Sequence, residues 1–331
     1  MASMADVLPH PPGLAAQQDV WEPSHRPQFV LLFPTHLASD QVHVAERLVM
    51  LAAALERAPR ASDLLLCIAV QYRDAASRAA AVEFASRLED AVRLSGLHVV
   101  KVALESRLKV DSINWAWASI ARDRATWLGW IDDDVHVEPG GVTALINACE
   151  AAPLDVVAVG LNKRAQTRPT LTSRILKERR EALGALRYPH GCCVCVRSSA
   201  GLLPIPRDVS DDGWIAAKLV TLDPADPFSR AIVLKEPRVC YWTCPDFRTQ
   251  LVRIRRIYID SYIILLKHLS PEHRKVFMEQ VLFRRRSGMT VKQVLLWPIS
   301  QGVPRLMWLS LGASIWARAR LNRPMKWPAW S

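Results

Sequence analysis

No internal repeat, low-complexity tract or recognised nucleic-acid-binding motif occurs in the 331 residues. Neither a repeat array nor a sequence-reading DNA or RNA module is therefore expected. The first residues, MASMADVLPHPPGLAAQQDVWEPSHRP, lack the basic-then-apolar layout of a secretory signal. They read as a mobile tail, 1–27, ending near Pro27. Cysteine is scarce, seven in all and odd in number, which argues against a disulfide framework and for free thiols in a reducing compartment. One spacing invites zinc: Cys192 and Cys195 form a C-x-x-C, and Cys240 and Cys244 follow. But GCCVCVRS reads as a β-strand, where residues three apart face opposite sides. These cysteines are expected to be small buried hydrophobes.

What the chain has in quantity is apolar surface and, at one end, positive charge. It is 50% apolar and 23% charged, an ordinary globular balance that excludes wholesale disorder. The formal net charge of +11 is unevenly spread. Residues 248–331 hold 16 Lys/Arg against 3 Asp/Glu, or +13, which leaves residues 1–247 with 27 against 29, or −2. Two different tasks are expected. The basic quarter contains PDFRTQLVRIRRIYIDSYIILLKHL (245–269), FRRRSG (283–288) and VLLWPISQGVPRLMWLSLGASIWARARLNRPMKWPAW (294–330). Five of the 12 tryptophans fall after residue 296. The stretch 294–317 is long enough to span a bilayer, but Pro298, Pro304 and Arg305 interrupt it. An Arg near mid-span costs on the order of 2.5–3.5 kcal/mol on insertion scales. Two short amphipathic helices in the membrane interface fit better, with Trp at headgroup level and Lys/Arg on anionic phosphate. A helical cap on the preceding domain is the plainer alternative. The Trp and Leu content favours lipid over nucleic acid.

Between residues 28 and about 240, apolar runs alternate with helical patterns. QFVLLFP (28–34), DLLLCIAVQ (63–71), LHVVKVAL (97–104), TWLGWID (126–132) and DVVAVGL (155–161) read as strands. Helical periodicity covers 41–58, 74–96 (closed by Gly96), 109–124 and 140–152. This alternation predicts an α/β fold, a mostly parallel sheet flanked by helices. In such sheets ligands bind beyond the carboxyl ends of the strands, so the places to search are Pro34 onward, Asp74, Lys109 to Asn114, and Asp132 to Asp134.

The fourth strand ends in three carboxylates, WLGWIDDDVHVEPGG (127–141). If the chain stays extended, Asp132 and Asp134 share a side and Asp133 takes the other. Two converging carboxylates at a sheet edge suit Mg²⁺, which typically takes one or two carboxylates plus substrate phosphate oxygens. A solvated acidic turn or a cap cluster is the bland alternative.

The surroundings extend the pattern. LKVDSIN (108–114) precedes the triplet by one helix, GCCVCVRSSA (191–200) reads as a small-residue strand running into Arg197, and SDDGWIAAKL (210–219) follows. In order and spacing these segments, over residues 28–245, resemble glycosyltransferase family 2 with its Rossmann-like GT-A fold. Asp132-Asp133-Asp134 matches the family's D-x-D, and Lys109 and Asn114 match its G-K-x-x-A-L-N-like stretch, with Leu108 in place of the Gly. Asp211, Asp212, Ile215, Lys218 and Leu219 match its E-D-x-x-L-x-x-R-L element.

The resemblance implies an enzyme of the hexosyltransferase type that uses a nucleoside-diphosphate sugar and Mg²⁺ or Mn²⁺. It implies Asp134 as metal ligand, Asp132 on the ribose or the metal, and Lys109 and Asn114 lining the donor pocket. It implies Asp212, with Asp211 beside it, as the base that deprotonates an acceptor hydroxyl in an inverting transfer. Pro34 and Thr35 match the first donor loop loosely. Asp74 either contacts the base of the nucleotide or caps the helix that follows it. Asp211 and Asp212 are also candidates for a helix cap. The family's Q-x-x-R-W is replaced by VRIRRIY (252–258), which argues against a processive polymer synthase. There, Arg253, Arg255 or Arg256 are the candidates for the leaving diphosphate or the acceptor. The acceptor expected is a glycan or lipid-linked sugar, in cell-surface polysaccharide or glycolipid synthesis. The location expected is cytoplasmic and peripheral, on the inner face of the membrane. Two rivals stand beside this: a nucleotidyltransferase acting on a sugar phosphate, whose glycine- and arginine-rich loop is not seen in FPTHLASD (33–40), and a non-catalytic GT-A-like scaffold that binds a membrane through the basic region.

Overall fold

The computed structural model describes residues 27–58, 63–93, 96–182 and 186–282, with Leu306 and Leu309 beyond them. The expected tail up to residue 26 and the Trp-rich stretch 294–330, apart from those two leucines, lie outside the described residues. The chain folds as two compact units: Met1–Arg164, Leu186–Arg207 and Phe228–Tyr241 form the first, and Ala165–Ala185, Asp208–Pro227 and Trp242–Ser331 the second. The sequence suggested one boundary near 245. The fold places the last switch at Trp242 and adds two earlier excursions, each carrying one helix, which apolar periodicity alone does not distinguish from the helices of the first unit.

The first unit is built on the strands β1 (Phe29–His36), β2 (Leu64–Tyr72), β3 (His98–Glu105), β4 (Trp127–Ile131), β5 (His136–Val137), β6 (Ala158–Gln166), β7 (Cys193–Arg197) and β8 (Ala231–Trp242). They lie in the order β3-β2-β1-β4-β7-β6-β8-β5. β1 pairs in parallel with β2 and β4, and β2 with β3. β7 runs antiparallel between β4 and β6, and β5 antiparallel to β8. β2 is buried along its whole length, as a strand covered on both faces must be. The crossover helices are α1 (Gln41–Glu56), α2 (Arg78–Val92), α3 (Lys109–Ala116) and α4 (Gly141–Ala151). α3 runs on into a π turn, Trp117–Ala121. Leu48, Leu55, Phe84, Leu88 and Leu145 enter one core with the alternate residues Phe29, Leu31 and Phe33 of β1.

Two expectations change here. Pro34 lies inside β1, buried and paired with Ala69, rather than opening a loop. Pairing with β4 stops at Leu32, so the strand is an open edge on that side and tolerates a residue without an N–H. Cys193 and Cys195 lie in β7 and Cys192 just before it. All three are buried, and the seven cysteines are free thiols. The cysteines also fit a tight space: a Cβ on Gly129 would press on the Cys195 Sγ.

The second unit holds the helices α5 (Leu171–Ala182), α6 (Asp211–Leu222), α7 (Phe247–Ile263) and α8 (Pro271–Phe277). Each described cap follows local chemistry: Ser210 accepts from the Gly213 N–H at 3.1 Å, Asp246 from Thr249 at 2.8 Å, and Ser270 from His273.

Candidate active site

In the first unit the carboxyl ends of β1, β2 and β4 bring their following loops to one edge of the sheet. β4 stops at Ile131, the Asp132 N–H still donates to the Cys192 carbonyl at 3.0 Å, and the chain turns at Asp133 and Asp134 instead of continuing as a strand. The pairing of Asp132 with Asp134 by strand alternation therefore lacks its premise. The three carboxylates differ instead by what holds them.

Asp132 is ion-paired to Lys109, with Nζ to Oδ1 at 2.8 Å. The same ammonium donates to the Gly191 carbonyl at 3.1 Å. Lys109 is the first residue of α3, and Gln71 fixes the approach to that helix by donating to the Leu108 carbonyl at 2.6 Å. Two residues expected in the donor pocket are thus brought together. A second basic group stands close by: Lys163 on β6 lies 3.2 Å from the His190 Nδ1, one residue before Gly191. Lys163 and His190 had no motif to mark them, because they meet only through the pairing of β6 with β7.

Asp133 faces the first loop. Thr35 Oγ1 donates to its Oδ2 at 2.5 Å and Ser39 Oγ at 3.0 Å. Arg47 of α1 donates to its backbone carbonyl. Burial raises the Asp133 pKa, the two hydroxyls lower it, and the net shift is upward. This carboxylate is a structural tie between β4 and the loop after β1. Asp134 is the exposed member. Its carboxylate makes no hydrogen bond or ion pair with the described residues, which leaves it open to a ligand.

His36 ends β1 in the same place. Its Nδ1 accepts from the Ala38 N–H at 3.0 Å. In the neutral ring the proton then sits on Nε2. That atom is buried and has no partner among the described residues. Burial, then the Arg73 charge, holds the imidazole pKa below its usual value, while Asp133 raises it. No pattern marks His36, since a polar residue at the end of a strand is commonplace.

Two donor-pocket expectations take on other tasks. Asn114 spends its amide on the backbone of Ile205, donating to the carbonyl at 2.7 Å and accepting from the N–H at 2.8 Å. It clamps the loop at Ile205. Asp74 caps the short helical turn before α2, accepting from the Ser77 N–H at 3.0 Å and its hydroxyl at 2.9 Å. Of the two readings open for Asp74, the cap is the one the fold uses. Arg197 is likewise structural: it closes on the carbonyls of Ala152, Pro153 and Val156 and stacks over Trp127.

In the second unit Asp211 and Asp212 are the first two residues of α6, and the cap is Ser210. The helix does not need either carboxylate for capping, so the cap reading of this pair falls. Both sit where the helix dipole favours negative charge. Asp211 is buried and Asp212 half-buried. From α7, Arg256 faces Asp260, Asp211 and Asp212, and burial lowers its pKa against their pull. Arg253 and Arg255 are exposed. Further along, Asp208 holds Lys267 at 2.9 Å and His268 at 3.1 Å, and His268 meets the Trp214 ring edge-on.

A divalent cation fits the turn after β4 in one respect and is constrained in another. Asp134 offers an uncommitted, exposed carboxylate. Asp132 is already neutralised by Lys109, and among the described residues no group of three or more His, Cys, Asp or Glu converges. The turn suits an ion that takes few protein ligands and completes its shell from phosphate oxygens and water, as Mg²⁺ does.

No protein-family model matches the sequence, and no curated protein does. Solved structures do match. The mannosyltransferase PcManGT from Pyrobaculum calidifontis, in complex with GDP-Man and Mn²⁺, superposes with a TM-score of 0.50 at 15% identity, over 93% of this chain and 79% of that one. TarS 1–349 of S. aureus gives a TM-score of 0.41 at 11% identity, over 91% and 94%. Glucosyl-3-phosphoglycerate synthase from Mycobacterium tuberculosis, with Mg²⁺ and UDP, gives 0.42 at 13%, over 70% and 78%. These last two superpose too loosely to guide an argument. The first likeness is one of fold, and with the sheet order above it shows that the chain has the GT-A type of α/β fold.

Proposed function

We propose that the protein is a metal-dependent glycosyltransferase acting on a nucleoside-diphosphate sugar. The observation that carries this is the turn after β4, where Asp134 is open to a ligand and Asp132 is held by Lys109. The mannosyltransferase whose fold this chain shares binds GDP-Man and Mn²⁺.

Asp134 would hold the cation. Bound there, a Mn²⁺ or Mg²⁺ ion would supply positive charge against the leaving diphosphate. Lys109 holds Asp132, the candidate for the ribose or the metal, and keeps a second positive charge at the sheet edge. His36 offers Nε2–H as a donor to the nucleotide. The resemblance to family 2 assigns the base to Asp212 of the second unit, which would take the proton of the acceptor hydroxyl as its oxygen bonds to the anomeric carbon. The bond to the diphosphate breaks as the new one forms, so the anomeric configuration inverts. Asp211 and Arg256 flank the base, and Arg253 and Arg255 are exposed on α7.

The acceptor is a glycan or lipid-linked sugar, in cell-surface polysaccharide or glycolipid synthesis, reached at the inner face of the membrane. The support is the basic end of the chain and the exposure of Phe247 (58%) and Val252 (54%) beside Arg248 and Arg255 on α7. Among the described residues no helix is long and apolar enough to cross a membrane. A calorimetric screen of UDP, GDP, CMP and dTDP sugars, with and without Mn²⁺, tests the donor reading. Metal-dependent binding of one nucleotide class is expected. Binding of none would leave only a scaffold, and release of pyrophosphate from a nucleoside triphosphate would indicate a nucleotidyltransferase.

A further inference from the structure

One buried acid lies outside everything assigned so far. Asp260 is on α7 and only 7% exposed. Its Oδ1 accepts from the Ser210 N–H at 2.5 Å and its Oδ2 from the Ser210 hydroxyl at 2.7 Å. Ser210 in turn caps α6 through the Gly213 N–H at 3.1 Å. A relay therefore runs from Asp260 through Ser210 to the first turn of α6, the turn that carries Asp211 and Asp212. The approach is close: a Cβ on Gly213 would collide with Asp260 Oδ2 and with Ile264. Arg256, one turn before Asp260 on α7, faces all three carboxylates.

A cap alone does not require this. Ser210 satisfies the Gly213 N–H with its own hydroxyl, and serine caps need no buried acid behind them. Burying a carboxylate is costly unless it is hydrogen-bonded and paired. Here the cost is met by two bonds to a single serine and by one guanidinium, all at the foot of the carboxylate pair. We propose that Asp260 is a positioning residue: with Arg256 it fixes the turn that opens α6 and sets the orientation and charge environment of Asp212. The inference rests on the reading of Asp212 as the base.

The charges that act on one another here are Asp211 and Asp212 from α6 and Arg253, Arg256 and Asp260 from α7. Lys267 and His268, further along, are taken up by Asp208. Burial pushes Asp260 up to about 6, with the Asp212 charge adding to the rise and Ser210 and Arg256 opposing it. Removing the Asp212 charge should then lower the Asp260 midpoint and removing Arg256 should raise it, which a general loss of packing would not do.

The test is a carboxyl ¹³C NMR titration of the full chain, with Asp260 assigned through its own backbone correlations. The Asp260 midpoint should fall in Asp212→Asn and rise in Arg256→Gln. In parallel, nucleotide release is followed from UDP-glucose and GDP-mannose with Mn²⁺. In Asp260→Asn, kcat should fall roughly ten- to a hundredfold with KM for the donor unchanged. If the Asp260 midpoint stays put in Asp212→Asn and Arg256→Gln, or moves the same way in both, the inference is overturned. Arg256→Gln keeps the test open if Asp260→Asn does not fold. Wild-type turnover in Asp212→Asn with the opposed shifts intact would remove the base while leaving the coupling in place, so the two failures are told apart.

Discussion

Three adjacent aspartates serve three different ends at the mouth of β4. Asp133 is bound by Thr35 and Ser39, Asp132 by Lys109, and Asp134 stands exposed. The repulsion between them is relieved partly by the fold and partly by whatever Asp134 binds. His36 beside them has the opposite problem, a buried Nε2 with nothing to donate to among the described residues. An unmet buried donor costs about 1–3 kcal/mol, which a nucleotide acceptor would recover. His36→Phe keeps the ring and removes the donor. Calorimetry should then show nucleotide affinity weakened about three- to tenfold, the worth of one hydrogen bond. Unchanged affinity would remove His36 from the site.

Among the elements, α6 is the one whose start is set from outside. Replacing Gly by Ala in a helix usually stabilises by up to about 1 kcal/mol. At Gly213 the sign should reverse, because the added methyl meets Asp260 and Ile264. Overpacking of this kind typically costs about 1–3 kcal/mol. Urea denaturation of Gly213→Ala should show that loss, and a gain in stability would mean that α7 gives way without cost. The elements of the first unit were readable because apolar runs and helical periodicity are local: β1 to β4, β6 and α1 to α4 fall within a few residues of the expected bounds. The site was only half readable, for the same reason. Lys109 and Asp132 lie in recognisable stretches and do meet. Asn114 and Asp74 matched by spacing but are used by Ile205 and Ser77, and no spacing reveals which backbone group an amide will face. The relay from Asp260 to Ser210 joins residues fifty apart, which periodicity does not register.

At the scale of the whole molecule, charge divides the chain more sharply than the fold does. Residues 248–331 carry +13 and the rest −2, and α7 alternates Arg with exposed aliphatic side chains. Basic residues draw roughly 1 kcal/mol each from an anionic leaflet. The full chain should therefore sediment with phosphatidylglycerol vesicles in low salt and be released at high salt, and should ignore pure phosphatidylcholine. Equal binding to both lipids would point to apolar insertion alone, and binding to neither would end the membrane reading.

Metal binding at Asp134 is read out by Mn²⁺-dependent release of nucleotide from the donor sugar selected in the screen. Turnover should need the metal in the wild type and fall at least about a hundredfold in Asp134→Ala, on the order of the effect of removing one preorganised charge-stabilising group. Turnover that is equal in the two proteins, or independent of metal, would contradict it.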